Sequence, residues 1–497
     1  MSHDFKSLTR FLVELGTDEI PHSNTPFLSH LIGVYRDLKT WGAPEHLVLA
    51  GLFHSIYGTS AFQGFTLPLD RREEVRALIG SDAERIAYIN CALTRDSLDD
   101  TVESGGEPQL WDRFRNEPLP VSATEFEELV TLHLCDRLEQ VGRVGNWDLR
   151  RSAWEAMARR LGGVALREWE RVHAGAPAAP DATACWLSQP DEWSPLFARW
   201  ADQHGAHARL HEWEQWGGRR VTGLTLGDDG KGRPVRILIA VPHAHEPAPT
   251  AALVNLASRL LNGCHIDGAP SPTLGPNLLE RALITLLPDT NPQGRARAVR
   301  RVWDGELDNE AFLMQAFGES SDGCRFGRYP EWTRADHQPR MVGLIYEEIA
   351  AGHYVEPNTS RRSTHTRAVD ELFDRYAFTH YLDMHQHEGD EAALLPASFD
   401  DLSPEQQGAE SAWAAALLDM WDRNAIRHKG SYIPYLGLPR QEFFREYWRG
   451  RCPGMLQLTS ETRNNRHVAS GAPTPLARQL RSATLAIEAT LKHLAAP

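Results

Sequence analysis

Cysteine is scarce. The chain of 497 residues has six, widely spaced and with no CxxC pair. That argues against a cysteine zinc knuckle and against a dense disulfide framework. No run of 18 apolar residues occurs, so a membrane-spanning helix is not expected. The opening MSHDFKSLTR is polar and of mixed charge, without the apolar stretch of a signal peptide. The expected setting is a reducing, cytoplasmic one. Positive charge is not in excess either. The net charge is −15, the wrong sign for a surface that holds nucleic acid by its phosphates. Neither nucleic acid nor membrane is an expected partner, and the oligomeric state is not legible. No internal repeat occurs. What is present is ordinary globular material, 41% hydrophobic and 24% charged. At about 150 residues per domain the length suits two to four domains. The 22 histidines and 15 tryptophans are high counts, and they point to polar chemistry in aromatic-lined pockets.

Residues 1–173 read as helix after helix. Asn24-Thr25-Pro26 opens a periodic stretch that stops at Gly42, and Pro44 opens another that closes at Gly58. Proline suits a first helical turn and glycine suits a stop. Ser81 with Glu84, and Ser122 with Glu125, have the spacing of a capping box. A last helix is expected over about 148–172. No strand signal appears, so this part is expected to be an all-α domain. Residues 174–195 begin AGAPAAPDATACWLSQP, a linker composition. From 196 to 497 short apolar runs alternate with helical patterns. RILIAV (236–241), ALITLLP (282–288), AFTHYLDM (377–384) and MLQLTS (455–460) read as strands. A helix is expected from about Thr250 to Gly263, a polar insertion over about 293–340, and an amphipathic helix at the end. The alternation predicts an α/β domain with a mixed, largely parallel sheet and flanking helices.

Three of those strands run into chemistry. RILIAV leads to His243, His245 and Glu246, AFTHYLDM to His385 and His387, and MLQLTS to Glu461. In an open α/β sheet ligands bind beyond the carboxyl ends of the strands. His243 and Glu246 are three apart, so one tight turn can bring both to an ion. His385 arrives from a distant strand as a third donor, with His245 as an alternative to His243. Two histidines and a glutamate are a standard catalytic zinc set, with one position left for water. Zinc brings the pKa of that water near 7. A separate carboxylate must then take its proton, and Glu461 is placed for that.

The ordered set is strand–HxxE, then Asn291-Pro292-Gln293-Gly294, then Leu382-Asp383-Met384-His385, then Glu461-Thr462-Arg463. It resembles the zinc carboxypeptidase (M14-like) family over about residues 220–495. The resemblance implies one Zn2+ held by His243, Glu246 and His385, with Glu461 as general acid/base. It also implies an arginine that polarises the scissile carbonyl. Arg295, Arg297, Arg300 and Arg301 follow the second segment; Arg300 is taken as catalytic and Arg297 as substrate-binding. Where the family carries an Asn-Arg clamp for a substrate carboxylate, this chain has Asn309-Glu310, and a glutamate repels a carboxylate. Either an arginine of the insertion (Arg325, Arg328, Arg334 or Arg340) replaces the clamp, or the substrate presents an amine or amide there. His387 is a further substrate contact or a strand cap, and Tyr432 or Tyr435 stands for the family's substrate tyrosine. The implied activity is hydrolysis of a peptide or amide bond, as a specialised carboxypeptidase or peptidase. The other readings are an N-acyl amino acid deacylase on the same fold and a non-enzymatic scaffold. The intact ligand set weighs against the scaffold. The implied substrate is a peptide or an acylated amino acid.

In the helical part, His30, His54 and Asp136 resemble the HD metal-dependent phosphohydrolase pattern. HLIGVYRDLKTWGAPEHLVLAGLFHSIYGT resembles an uncharacterised HD-like domain family, over about residues 5–150. Serine follows His54 where that pattern has aspartate, and serine is a poor substitute for a bridging carboxylate. The expectations are a weakly held metal, with phosphohydrolase or oxygenase chemistry, or else histidines hydrogen-bonded within a bundle.

Overall fold

The computed structural model describes residues 4–227, 234–271, 278–396, 402–429, 443 and 447–495. The chain divides into two compact units, Met1–Pro177 with Arg423–Ala425, and Ala178–Asp422 with Ile426–Pro497.

The first unit is built of helices α1 (Phe5–Glu14), α2 (Phe27–Thr40), α3 (Glu45–Phe53), α4 (Arg72–Ile79), α5 (Ser81–Ala92), α6 (Arg95–Ser104), α7 (Ala123–Val144), α8 (Arg151–Leu161) and α9 (Gly163–His173). Their apolar faces share one core, with Leu31, Val34, Leu52, Phe53, Ile89, Phe126 and Leu132 fully buried. Two short antiparallel pairings depart from the all-α expectation: Pro21–His22 with Thr25–Pro26, and Leu110–Asp112 with Glu117–Leu119. Two or three residues are too few to show a two-residue period. The helix expected over 148–172 is α8 and α9, broken at Gly162, whose φ of 59° and ψ of −153° lie outside helical space. The Ser122–Glu125 capping box forms, with both reciprocal bonds. The Ser81–Glu84 box does not. Gly80 occupies the cap position, and Glu84 is buried, accepting from Tyr57, Arg72 and Arg76.

The second unit is α/β. The strands of its main sheet are β1 (Ala208–Glu214), β2 (Arg220–Leu226), β3 (Val235–Ala240), β4 (Ala282–Leu287), β5 (His380–His387), β6 (Ala393–Pro396) and β7 (Leu456–Arg463), and shorter strands between residues 318 and 355 make a two-stranded and a three-stranded sheet. The main sheet has the order β6-β7-β5-β3-β4-β2-β1. The four central strands are parallel, and both edges are antiparallel. Alternation along each strand sends side chains to opposite faces. Ile237, Ile239, Leu382, Met384 and Leu458 face one core, with Trp193 and Trp200 of α10 (Pro190–His204), Leu253 and Leu256 of α11 (Pro247–Asn262), Trp413 and Leu417 of α14 (Pro404–Arg423) and Ala486 of α15 (Leu476–Ala495). Leu238, Ala240 and Tyr381 face the other, against Val369, Leu372 and Phe373 of α13 (Thr364–Tyr376). Burial on both faces is why β3 and β4 read as continuous apolar runs.

Two features differ from expectation. The stretch read as a linker carries Cys185, Trp186 and Trp193, all buried in the core of the second unit, and α10 begins inside it at Pro190. Proline there opens a helix rather than breaking one. The antiparallel strands β1, β2 and β6 were not expected. ARLHEWE in β1 is polar, as suits an exposed edge, and carries little of the apolar signal seen in β3.

Candidate metal centre and cleft

β3 ends at Ala240, and the chain turns through Pro242 so that the Glu246 N–H donates to the His243 carbonyl, 3.2 Å. Glu246 is the N-cap position of α11, with Pro247 in the first turn. The turn brings His243 Nδ1 to 3.0 Å from Glu246 Oε1. His385 lies inside β5 rather than after it, because the strand runs on to His387. Its Nδ1 is 2.9 Å from Glu246 Oε2 and 3.1 Å from His243 Nδ1. All three side chains are buried, and their donor atoms lie within 4.8 Å of one another.

The outer nitrogens decide whether this set suits a cation. His243 Nε2 donates to Glu356, and His385 Nε2 faces Asp383 Oδ1 at 3.1 Å. A proton kept on His243 Nε2 leaves its Nδ1 as a lone pair, and a proton on His385 Nε2, toward Asp383, would do the same there. Glu246 Oε2 is buried and accepts no hydrogen bond. Two imidazole lone pairs and a carboxylate at one point are a donor set for zinc, and carboxylates behind the histidines are its usual outer partners. Burial pushes the Glu246 carboxyl up, and the two imidazoles overcome this and hold it well below the usual carboxylate range. Burial lowers His385, but Glu246 outweighs it and raises the ring. Burial also raises Glu356, and Arg328 and His243 reverse the direction.

Glu461 pairs in register with His385 across the parallel β5–β7 ladder. Neighbouring strands are about 4.8 Å apart and register partners point to one face. Glu461 therefore lies beside the ligand set, and it lines the same cleft of about 760 Å³. The cleft has an apolar wall of Phe312, Leu313, Phe317 and Phe326, and it is also lined by Arg325, Arg328, His245 and His387. Arg328 Nη2 is 3.6 Å from Glu356 Oε1, and its guanidinium lies over the Phe317 ring.

The expected site residues separate into two groups. His243, Glu246, His385, Glu461 and His387 meet at the cleft. His245 stacks on His243, and burial lowers its pKa to about 3, keeping it neutral. The other expected residues have partners elsewhere. Arg300 binds Glu306 at 2.6 Å and Asp304 at 3.2 Å, and it does not line the cleft. Its carboxylates are four and six residues away, close enough to capture it locally. Arg297 is held by the carbonyls of Gly343 and Tyr346. Asn309 donates to the Arg466 carbonyl, 3.1 Å, and accepts from Asn465, 2.8 Å. It stands at the start of α12 (Asn309–Phe317). Tyr432 and Tyr435 lie outside the described residues. The Asn291–Gly294 segment is structural. Asn291 bonds to Gly294 N–H and to the Leu344 and Ile345 carbonyls, and a Cβ on Gly294 would sit 2.1 Å from the Leu344 oxygen.

Sequence reasoning missed Glu356, Asp383 as a histidine partner, and the aromatic wall. Glu356 stands in EPNTS, 113 residues from His243, with no spacing to betray it. Arg325 and Arg328 were among the four arginines of the insertion. Of the other two, Arg334 reaches Tyr354 and Arg340 reaches Glu319.

In the first unit His30, His54 and Asp136 also converge. His30 Nε2 is 3.1 Å from Asp136 Oδ1 and 3.3 Å from His54 Nε2, which is 3.6 Å from the same oxygen.

The description "Domain of unknown function (DUF6817)" matches residues 11–95. No curated protein matches the chain. Solved structures similar to it include a metallo-carboxypeptidase from Burkholderia cenocepacia, 16% identical, covering 60% of this chain and 67% of that one, TM-score 0.38. A metallo-carboxypeptidase from Pseudomonas aeruginosa in complex with (2-guanidinoethylmercapto)succinic acid is 16% identical, covering 60% and 68%, TM-score 0.37. Carboxypeptidase A from Helicoverpa armigera is 13% identical, covering 66% and 80%, TM-score 0.40.

Proposed function

We propose that the second unit is a zinc-dependent hydrolase of a peptide or amide bond, of carboxypeptidase-like type. The observation that carries this is the convergence of His243 Nδ1, His385 Nδ1 and Glu246 at the floor of a cleft that Glu461 also lines. A bound zinc ion would acidify a water molecule and polarise a carbonyl there. Glu461 takes the proton of the attacking water on its carboxylate and passes it to the leaving amine. Glu356 and Asp383 hold the protons on the outer nitrogens and so fix both rings. Arg328, not Arg300, is the cation for the developing oxyanion, since it reaches the cleft and Arg300 does not. The apolar wall takes a hydrophobic part of the substrate.

Asn309 stands away from the cleft and Glu310 pairs at 3.8 Å with Arg325. A carboxylate clamp at 309–310 is therefore not part of this reading, and an N-acylated amino acid is the second substrate class. The test is hydrolysis of blocked and free peptides against N-acyl amino acids, with Glu461→Gln as control. Loss of general acid/base catalysis lowers kcat by about 10²–10⁴-fold, with metal content unchanged. Full activity in Glu461→Gln would overturn the assignment. Release of a small acid rather than an amino acid from a peptide would select the deacylase.

A further inference from the structure

The cleft of the second unit is lined by charge of both signs, and every charged group but one has a counterpart. Arg325 has Glu310 at 3.8 Å, and Arg328 has Glu356 at 3.6 Å. Glu246 and Glu356 face His243, and the charge of Glu461 bears on His385. Glu388 lines the same cleft, half-buried. It makes no hydrogen bond or ion pair among the described residues.

The chain on either side of Glu388 is braced. The Gly389 N–H donates to His387 Nδ1, 3.2 Å, and the His387 carbonyl accepts from the Asn464 N–H, 2.9 Å. A Cβ at 389 would lie 2.6 Å from the His387 ring, so glycine lets that ring close over the turn. On the far side Asp390 accepts the Val468 and Ala469 N–H groups, at 2.5 and 3.3 Å, and Glu391 pairs with Arg427 at 3.1 Å. The neighbours are all engaged, and the Glu388 carboxylate is left over. A charge held on a braced backbone is preorganised, because little freedom is left to lose on binding.

The sign of its ligand follows from the surroundings. A half-buried carboxylate in a cleft that also holds Glu461 repels an anion and is completed by a cation that donates hydrogen bonds. One carboxylate is too few ligands for a metal ion, whereas it suffices for an ammonium group. Glu388 is three residues from His385, a segment that spans at most about 11 Å. A cation bound there is within reach of a carbonyl held at the metal ligands. At 309–310, where a carboxylate clamp was expected, Glu310 offers no attraction to a carboxylate.

We propose that Glu388 is the subsite for a protonated amine of the substrate, so that the centre acts on a cationic peptide or acylated amino acid. The inference rests on the hydrolase reading of this unit. The amine is a free α-amine or the ω-amine of a lysine-like side chain, which present the same chemistry.

The test reads binding and turnover separately. Binding is measured by calorimetry on the zinc-loaded full chain carrying Glu461→Gln, in which turnover is suppressed. The ligands are tripeptides of phenylalanine with lysine, norleucine or glutamate at each position in turn, each with a free and an acetylated amino terminus. Lysine and norleucine have chains of the same length, so the difference between them is charge. A side-chain amine as the source predicts lysine tighter than norleucine by about tenfold or more, with glutamate weakest. An α-amine as the source predicts the same factor between free and acetylated termini. Adding Glu388→Gln should bring the ratio toward one. Adding Glu388→Lys should invert it in favour of the anionic or acetylated ligand, a gain that a merely destabilised variant does not show. No binding of any amine-bearing ligand, or a ratio that survives Glu388→Gln, would overturn the subsite. The hydrolase reading fails on the other readout. A wild-type chain that binds the cationic peptides through Glu388 and cleaves none of them would overturn that reading and leave the amine site standing.

Discussion

At His243 and His385 the outer nitrogen fixes what the inner one can do. Glu356 holds the proton on His243 Nε2, and no other carboxylate contacts that nitrogen among the described residues. Removing its charge should weaken the ligand set without touching a ligand. Glu356→Gln is expected to lower zinc affinity by about 10–100-fold, read by competition with a chelator. Unchanged affinity would make Glu356 a bystander. The same residue marks where sequence stops being informative. His243, Glu246 and His385 could be grouped from the sequence because their spacing and their order along the chain repeat a known pattern. Glu356 is one of many glutamates until the chain folds it onto His243. The arginines show the other limit. Sequence gives the charge but not its direction, so Arg300 reads as well as Arg328, although local carboxylates hold the first and the cleft receives the second.

At the scale of elements, two serine–glutamate pairs with the same spacing do different work. Ser122 caps α7 and Glu125 closes the box, bonds a cap can make because the first turn has unsatisfied N–H groups. Ser122→Ala should destabilise by about 1 kcal/mol. Ser81 makes no cap bond, and Ser81→Ala should change stability by less than about 0.5 kcal/mol. Glu84 is fully buried between Tyr57, Arg72 and Arg76. Glu84→Ala removes the buried acceptor of Tyr57 and of two arginines that keep access to solvent, so a loss of about 1–3 kcal/mol is expected. Urea unfolding of the three variants checks the order. An equal cost for both serines would mean the α5 box forms after all. The parallel strands were legible because burial on both faces leaves an unbroken apolar run. The edge strand β1 was not, since it has one wet side and its mixed residues resemble a loop.

For the molecule as a whole, one buried acid sets a pH limit on stability. Glu410 lies on the inward face of α14, in line with Trp413, Leu417 and Trp421. Its Oε2 accepts the Gln457 N–H at 3.3 Å, while Oε1 has no donor. Burial raises its pKa to about 7. The unfolded chain ionises near 4.5, so unfolding releases a proton between those values. A raised folded pKa contributes stability that is complete below about pH 4.5 and is lost as pH rises through 7. The loss is about 3 kcal/mol at pH 8, from a shift of about 2.5 at 1.36 kcal/mol each. Glu410→Gln keeps the shape and an oxygen acceptor but cannot ionise. The variant should therefore match the wild type near pH 4.5 and exceed it by pH 8, with the gap opening between. Subtracting the two Tm–pH curves cancels every other titrating group and isolates this one. A gap that is constant with pH would show packing rather than charge at work. A gap that opens toward acid would mean Glu410 is ionised in the folded chain and paired by Arg449, whose charge already opposes the shift.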